Sequence, residues 1–373
     1  MPLVLTEEET LLADSANRLF SRSAPVSAFR RLRDSGAEAC YSPELWAEMA
    51  EAGFAGILIP EDFGGTAFGY AAAGLICEQI GHVLAASPMI SAALASEILV
   101  RDGNAAQKTL LEEIAGGSLI IAFAIDEQRR HAPDSLATEA KADGDFFVLN
   151  GTKRFVVDGG AADKFIVAAA TADGPGLFLV PSDAPGVSVR PLHLVDSRNA
   201  ADVTLQDVRV GAGALIGVPG VKTGATISRA LDVGRTLLAA ELLGIAQEAF
   251  DRTVAYLKER EQFGVKIGSF QALQHRASRM YANLDMARGV VLKALRVLDE
   301  GDRASSALAS LAKGTLTKTA RDVLNEAVQM HGGIGVTDDI DIGLFFKRAR
   351  VAGDTFGDDL FQRERLGRLV YRV

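Results

Sequence analysis

The sequence predicts an α+β protein in three consecutive parts, helical, then β, then helical. The hydrophobic period carries that prediction. Apolar residues recur at helical spacing up to about Ile114, gather into short Val-, Ile- and Phe-rich runs from about Ser118 to Gly217, and return to helical spacing from about Thr223. No strand–helix–strand alternation is present, which sets the chain apart from doubly wound nucleotide-binding folds. Size agrees: 373 residues, 48% of them hydrophobic, can build more than one core. The expected parts are an N-terminal helical domain at 1–117, a middle β-domain at 118–221 and a C-terminal helical domain at 222–373.

Each part has its own punctuation. Thr6 and Glu9 are spaced as a capping box that opens the first helix, and Gly81, Gly103 and Gly116-Gly117 read as helix stops. In the middle part the runs Ile120 to Ile125, Phe146 to Leu149, Phe165 to Ala169, Leu177 to Val180, Val187 to Val189 and Val203 to Leu205 are separated by Gly, Pro and Asp turns. They read as an antiparallel barrel or sandwich. In the last part Ile227, Leu231, Gly234, Leu238, Glu241, Leu242, Ile245 and Ala249 fall on one stripe of an ideal helix, and helical spacing ends near Leu366 to Val370.

Composition excludes several functions. A net charge of -9 argues against a nucleic-acid or anionic-membrane surface. Cys40 and Cys77 alone make no disulfide framework, and no His-based motif supports either as a nucleophile. His82, His131, His193, His275 and His331 are scattered without paired ligand spacing, so no metal is expected. The start lacks a basic segment followed by a long apolar run, and no stretch reaches the roughly 20 apolar residues of a membrane span. The expected location is cytoplasmic.

Two short strings carry chemistry: Arg260-Glu261-Gln262-Phe263-Gly264 and, about seventy residues later, Gln329-Met330-His331-Gly332-Gly333-Ile334-Gly335. A guanidinium pairs two phosphate oxygens at once. A Gly-Gly-x-Gly turn lets backbone N–H groups approach an anion with no Cβ in the way. Together they offer what a dinucleotide pyrophosphate needs, although Gly-Gly after a helix is by itself an ordinary stop, and Arg260 by itself an ordinary solvated charge.

In this order, the pair resembles the acyl-CoA dehydrogenase family of flavoenzymes. The likeness spans the chain. Leu45-Trp46-Ala47-Glu48-Met49, Gly53-Phe54-Ala55-Gly56-Ile57 and Ile59-Pro60-Glu61-Asp62-Phe63-Gly64-Gly65 are similar to the family's first domain. Leu149-Asn150-Gly151-Thr152-Lys153 and Asp158-Gly159-Gly160-Ala161-Ala162-Asp163 are similar to its β-domain, and Leu231-Asp232-Val233-Gly234-Arg235 to its C-terminal helices. The resemblance implies an acyl-CoA dehydrogenase-like fold with a middle antiparallel β-barrel and a C-terminal four-helix bundle. It implies FAD, with the ring between the β-domain and the C-terminal helices and the ADP half reaching a second protomer. Arg260, Gln262, Phe263, Ile267, Gln271, Leu273, Gln329, Gly332 and Gly333 then belong to the ADP side. Phe123, Ile125, Asp126, Phe155 and Val157 belong to the ring side, where Asp126 and Val157 stand in place of hydroxyl residues that meet the flavin in relatives. An ionised carboxylate there repels reduced flavin unless it is protonated or turned away.

The implied reaction is α,β-dehydrogenation of an acyl-CoA. A carboxylate takes the α-proton, donors hold the thioester oxygen, and the flavin takes the β-hydride. In most relatives the base is a Glu in a C-terminal turn, and Phe356 stands there. In a minority it precedes an Arg on the helix after the β-domain, and here Gly234 precedes Arg235, the implied substrate-binding residue. The remaining candidate bases are Glu241, Asp354 and Asp358. Glu241 lies about 10 Å along the helix from Gly234 and is otherwise a buried structural carboxylate. The turn Gly353 to Asp358 and the segment Ile267 to Arg276 are most similar to small subunits of heteromeric bacterial enzymes such as pimeloyl-CoA dehydrogenase. The implied partners are an acyl-CoA substrate and electron-transfer flavoprotein or a similar acceptor. The implied assembly is a homodimer or homotetramer, or a heterotetramer with a base-carrying homologue. Two functions are therefore expected: a dehydrogenase with a displaced base, or a subunit that completes the FAD site of a catalytic partner.

Overall fold

The computed structural model describes residues 3–37 and 39–371 and divides them into two compact units that interleave in sequence: 3–30, 70–85 and 235–371 form one, and 31–69 with 86–234 the other. The N-terminal helices are α1 (Glu7–Ser23), α2 (Val26–Ser35), α3 (Pro43–Glu51), α4 (Gly69–Val83), α5 (Met89–Asp102), α6 (Ala105–Lys108) and α7 (Leu110–Ala115). Thr6 caps α1 as expected, its hydroxyl accepting from the Glu9 amide at 3.2 Å while Glu9 accepts from the Thr6 amide at 2.9 Å. Gly103 and Gly116 terminate α5 and α7. Gly81 does not stop α4, which continues to Val83. A Cβ on Gly81 would lie 2.2 Å from the Glu241 carbonyl oxygen, so glycine is there to let two helices touch.

The β-part is an eight-stranded sheet of β1 (Ile121–Ala124), β2 (Glu139–Asp143), β3 (Phe146–Val157), β4 (Lys164–Thr171), β5 (Gly174–Pro181), β6 (Val187–Pro191), β7 (Ala200–Gly211) and β8 (Leu215–Ile216). The order is β6-β7-β3-β2-β4-β5-β8, with β1 joined to β4. Most pairings are antiparallel, but β1 and β2 each pair with β4 in parallel, a mixture the hairpin-like spacing did not predict. The reason is connectivity. β1 reaches β4 through intervening strands rather than a tight turn, which parallel pairing requires. β2 was invisible in sequence because Glu-Ala-Lys-Ala-Asp buries only Ala140. Phe165, Val167, Phe178, Val180, Val203 and Val208 are fully buried at the centre of its core.

The last part holds α8 (Val221–Glu259), the short strands β9 (Glu261–Gln262) and β10 (Val265–Lys266), then α9 (Gln271–Glu300), α10 (Ser305–His331), α11 (Ile342–Asp354) and α12 (Asp359–Tyr371). The predicted stripe of α8 is buried, but so is every residue from Leu231 to Ile245. A helix buried all round must satisfy its polar residues internally. Asp232, Arg235 and Glu241 sit in that stretch.

Candidate functional site

The fold sets the end of α8, just before the first string, against the second string. Tyr256, one turn before the end of α8, stacks on His331 at the end of α10 with ring centroids 4.5 Å apart, and its hydroxyl lies 3.4 Å from the His331 carbonyl. Burial holds the His331 imidazole below its ordinary pKa, and its Nδ1 donates to the Ala327 carbonyl at 2.7 Å. Arg260 immediately follows α8 and is exposed. Beyond it, β9 and β10 form a hairpin whose two turn residues, Phe263 and Gly264, have φ of 55° and 77°. That is the arrangement of a tight hairpin turn with both central residues left-handed. Phe263 carries this strained backbone while its side chain is 92% exposed. Its ring meets that of Phe270 edge to face, with centroids 6.2 Å apart.

At the other string, Gln329 is exposed and its carbonyl accepts the Gly332 amide. Gly332 has φ 66° and ψ -141°, which a side chain would strain, and a Cβ on Gly332 or Gly333 would meet nothing within 4 Å. The backbone is bare at this turn, as close approach of an anion requires. Ile267, Gln271 and Leu273 lie on the short turn and first turn of α9 that follow the hairpin. These residues fit the ADP half of FAD: an exposed guanidinium, an exposed aromatic ring and an unobstructed glycine turn within one unit.

The residues assigned to the flavin-ring side share the other unit. Phe123 and Ile125 are buried, and a bulge in β3 places Phe155 at φ 52° with its ring 43% exposed and the Arg154 guanidinium 5.3 Å above it. The Val157 carbonyl accepts from Ser91, and intermediate burial leaves its side chain accessible. Asp126 is turned toward His131, whose Nδ1 lies 2.7 and 3.0 Å from the two carboxylate oxygens. Beside it Glu127 accepts from Lys153 at 2.6 Å and from the Ala137 and Thr138 amides. Burial pushes Lys153 down, with Glu127 opposing that shift. Asp126 thus has an imidazole partner that sequence spacing alone did not connect to it.

Arg235 meets the turn that carries Phe356. Arg235 is 1% exposed and its Nε donates to the Phe356 carbonyl at 3.1 Å. Through this bond its side chain holds the turn. Gln362 donates to the carbonyls of Phe356 and Gly357, and Lys313 to that of Gly353 at 2.7 Å. Lys313 and Gln362 are fully buried, and desolvation lowers the Lys313 pKa to about 7. Phe356 itself is buried with φ 56°. Glu241 has both oxygens on Arg348, at 2.7 and 2.8 Å, and is 3% exposed. Both oxygens are thus occupied by a guanidinium, the partnering expected of a buried structural carboxylate. Asp358 caps α12 through the Phe361 amide. Asp354 lies 3.3 Å from Arg350, and burial raises its pKa. Both line a cavity of about 340 Å³ with Thr317, Arg321 and Phe346.

Sequence reasoning missed Tyr256, Lys313 and Gln362. Only Lys313, a lone cation in the apolar run Ala309 to Leu316, left a signal. Among the described residues no group of three or more His, Cys, Asp or Glu could hold a metal, and no helix is long and apolar enough to cross a membrane.

A helical–β–helical chain whose C-terminal part carries an exposed guanidinium and an open glycine turn fits a flavoprotein of the oxidoreductase class. Known families make this specific. The acyl-CoA dehydrogenase N-terminal domain matches residues 6–118, the middle domain 123–208 and the C-terminal domain 224–371. A probable acyl-CoA dehydrogenase, YngJ of Bacillus subtilis, is 33% identical over 86% of this chain and 87% of its own. Two solved structures superpose closely: the Tcur3481-Tcur3483 steroid ACAD, with TM-score 0.90, 32% identity and 98% of each chain covered, and the ChsE4-ChsE5 complex from Mycobacterium tuberculosis, with TM-score 0.91, 27% identity and 100% of each chain covered. The chain belongs to the acyl-CoA dehydrogenase family. Its cofactor is FAD and its activity is FAD-dependent dehydrogenation of an acyl-CoA thioester.

Proposed function

We propose that the chain contributes to that reaction as the FAD-completing subunit of a heteromeric acyl-CoA dehydrogenase. One observation carries the reading: the C-terminal turn presents Phe356 where the base is expected, and three buried donors, Arg235, Lys313 and Gln362, hold its backbone in place. Bound FAD supplies the hydride acceptor; this chain's part is to hold the ADP half through Arg260, Gln262, Phe263, Gln329 and the glycine turn. A partner chain supplies the carboxylate. Similarity to two structures whose names each join two proteins, one of them a steroid ACAD, supports both the heteromer and a bulky side-chain or dicarboxylyl CoA ester as substrate. Electron-transfer flavoprotein or a similar acceptor would reoxidise the flavin, and the assembly would work in the cytoplasm.

A second reading has its own observation. Asp354 lines a cavity and its carboxyl is pushed up by burial, the direction a base needs. It would let the chain act alone. The readings separate when the chain is expressed alone and with a base-carrying homologue, and flavin content and anaerobic flavin reduction by a panel of acyl-CoAs are measured. The partner reading expects slow reduction alone and turnover restored by the homologue. Rapid bleaching by the isolated chain overturns it.

A further inference from the structure

The glycine turn runs straight into acid. After Gly332–Val336 come Asp338, Asp339 and Asp341, three carboxylates within five residues of the backbone that faces phosphate. Such charges disfavour a neighbouring anion unless they are compensated. Two guanidinium groups from distant parts of the sequence do this. Arg30 donates through Nη1 to the Asp338 carboxylate and carbonyl, each at 2.8 Å, and through Nη2 to Asp341 at 2.8 Å. Arg252 donates through Nη1 to the other Asp341 oxygen at 2.9 Å and through Nε to Glu248 at 2.7 Å, while lying 5.2 Å from the Phe345 ring. Asp341 therefore has a different arginine on each oxygen. Only Asp339, which is exposed, has neither; it accepts from Thr337 at 3.3 Å. His82 faces the same network, 3.6 Å from Glu248.

We propose that Arg30 and Arg252 are positioning residues for the ADP half of FAD, neutralising Asp338 and Asp341 and fixing the exit of the glycine turn. The inference rests on the reading of Gly332-Gly333 as the pyrophosphate turn. At its entry the Tyr256–His331 stack performs the matching task, so the turn is held from both ends while its own N–H groups stay open. Two ion pairs shared at Asp341 give a geometry that a single flexible pair does not.

The test measures FAD affinity, and ADP as a competitor, on the full-length protein stripped of flavin and reloaded. R30A and R252A should each weaken both ligands about 10-fold at low ionic strength and less at high salt. R252K should recover part of the loss. Charge rescue decides the matter: R30A/D338N and R252A/D341N should return to within about 3-fold of the parent. Doubles as weak as the singles, with losses independent of salt, overturn the proposal. If an arginine variant fails to fold, D338N/D341N with both arginines kept should bind FAD more tightly, and weaker binding counts against the idea. R260A and G332V test the underlying reading separately. If they leave FAD and ADP affinity unchanged, the pyrophosphate assignment fails; if they weaken binding while R30A and R252A do not, only the role of the arginines fails.

Discussion

Arg235 and Phe356 are joined by a 3.1 Å hydrogen bond from the buried guanidinium to the peptide carbonyl. Arg235 follows Gly234 on α8, and Phe356 lies in the turn before α12; the family resemblance places the catalytic carboxylate at Gly234 or at Phe356, and neither residue is a carboxylate. Phe356→Glu therefore asks whether the rest of the site is intact. General-base catalysis is typically worth about 10²- to 10⁴-fold, so flavin reduction by acyl-CoA in the variant should accelerate by roughly that range. Anaerobic stopped-flow bleaching measures it. An unchanged rate with FAD still bound would mean that more than the base has been lost.

Glu241 makes a contrasting prediction. Its carboxylate and Arg348 are both interior, and removing one partner of such a pair costs about 3 to 5 kcal/mol because the other charge is stranded. Glu241→Leu should lower the midpoint of denaturant unfolding accordingly. The double change with Arg348→Met should recover most of the loss. Flavin reduction per folded, flavin-loaded molecule should be unchanged, whereas a base would lose 10²-fold or more.

The fold was legible because period is legible: helices with stripes and strands with β-branched runs left their mark, and the Thr6–Glu9 capping box closes as its spacing requires. What escaped depended on neighbours remote in sequence. Gly81 reads as a stop until Glu241 is seen against it. Asp126 reads as a carboxylate with no local partner until His131 is seen against it. Glu241 sat on a buried stripe, and its burial was readable, but its partner Arg348 is 107 residues away. Propensity and period report the local chain; ion pairs in a core report the fold.

The glycine turn gives a backbone prediction. At Gly332 φ 66° with ψ -141° is open to glycine and strained for any side chain, by about 1 to 3 kcal/mol. The space beyond is empty, so Gly332→Ala should not clash. Its cost should appear as lower stability in thermal melts and, where the turn shifts to relieve strain, as weaker FAD retention. Gly333→Ala meets the same open space without a positive φ and should change thermal stability little. Equal destabilisation by the two would contradict the conformational argument.

The last prediction concerns Lys313, which donates to the Gly353 carbonyl under the Phe356 turn. Desolvation lowers its pKa to about 7, against a value near 10.5 when the chain is unfolded. Between those values the unfolded chain holds a proton that the folded chain has shed. Unfolding free energy should therefore rise with pH across roughly pH 7 to 10.5, by up to about 5 kcal/mol from this group, and should lose that contribution as pH falls back toward 7. Below 7 both states carry the proton and the slope from Lys313 vanishes. Lys313→Met removes the titration, so urea unfolding at pH 7, 8 and 9 should show a flatter dependence than the parent, with the variant gaining most, relative to the parent, at the lowest of these pH values. Parallel pH dependences in the two proteins would show that Lys313 keeps its proton when buried, which the carbonyls of Gly353 and Gly357 would then have to accommodate as a charge.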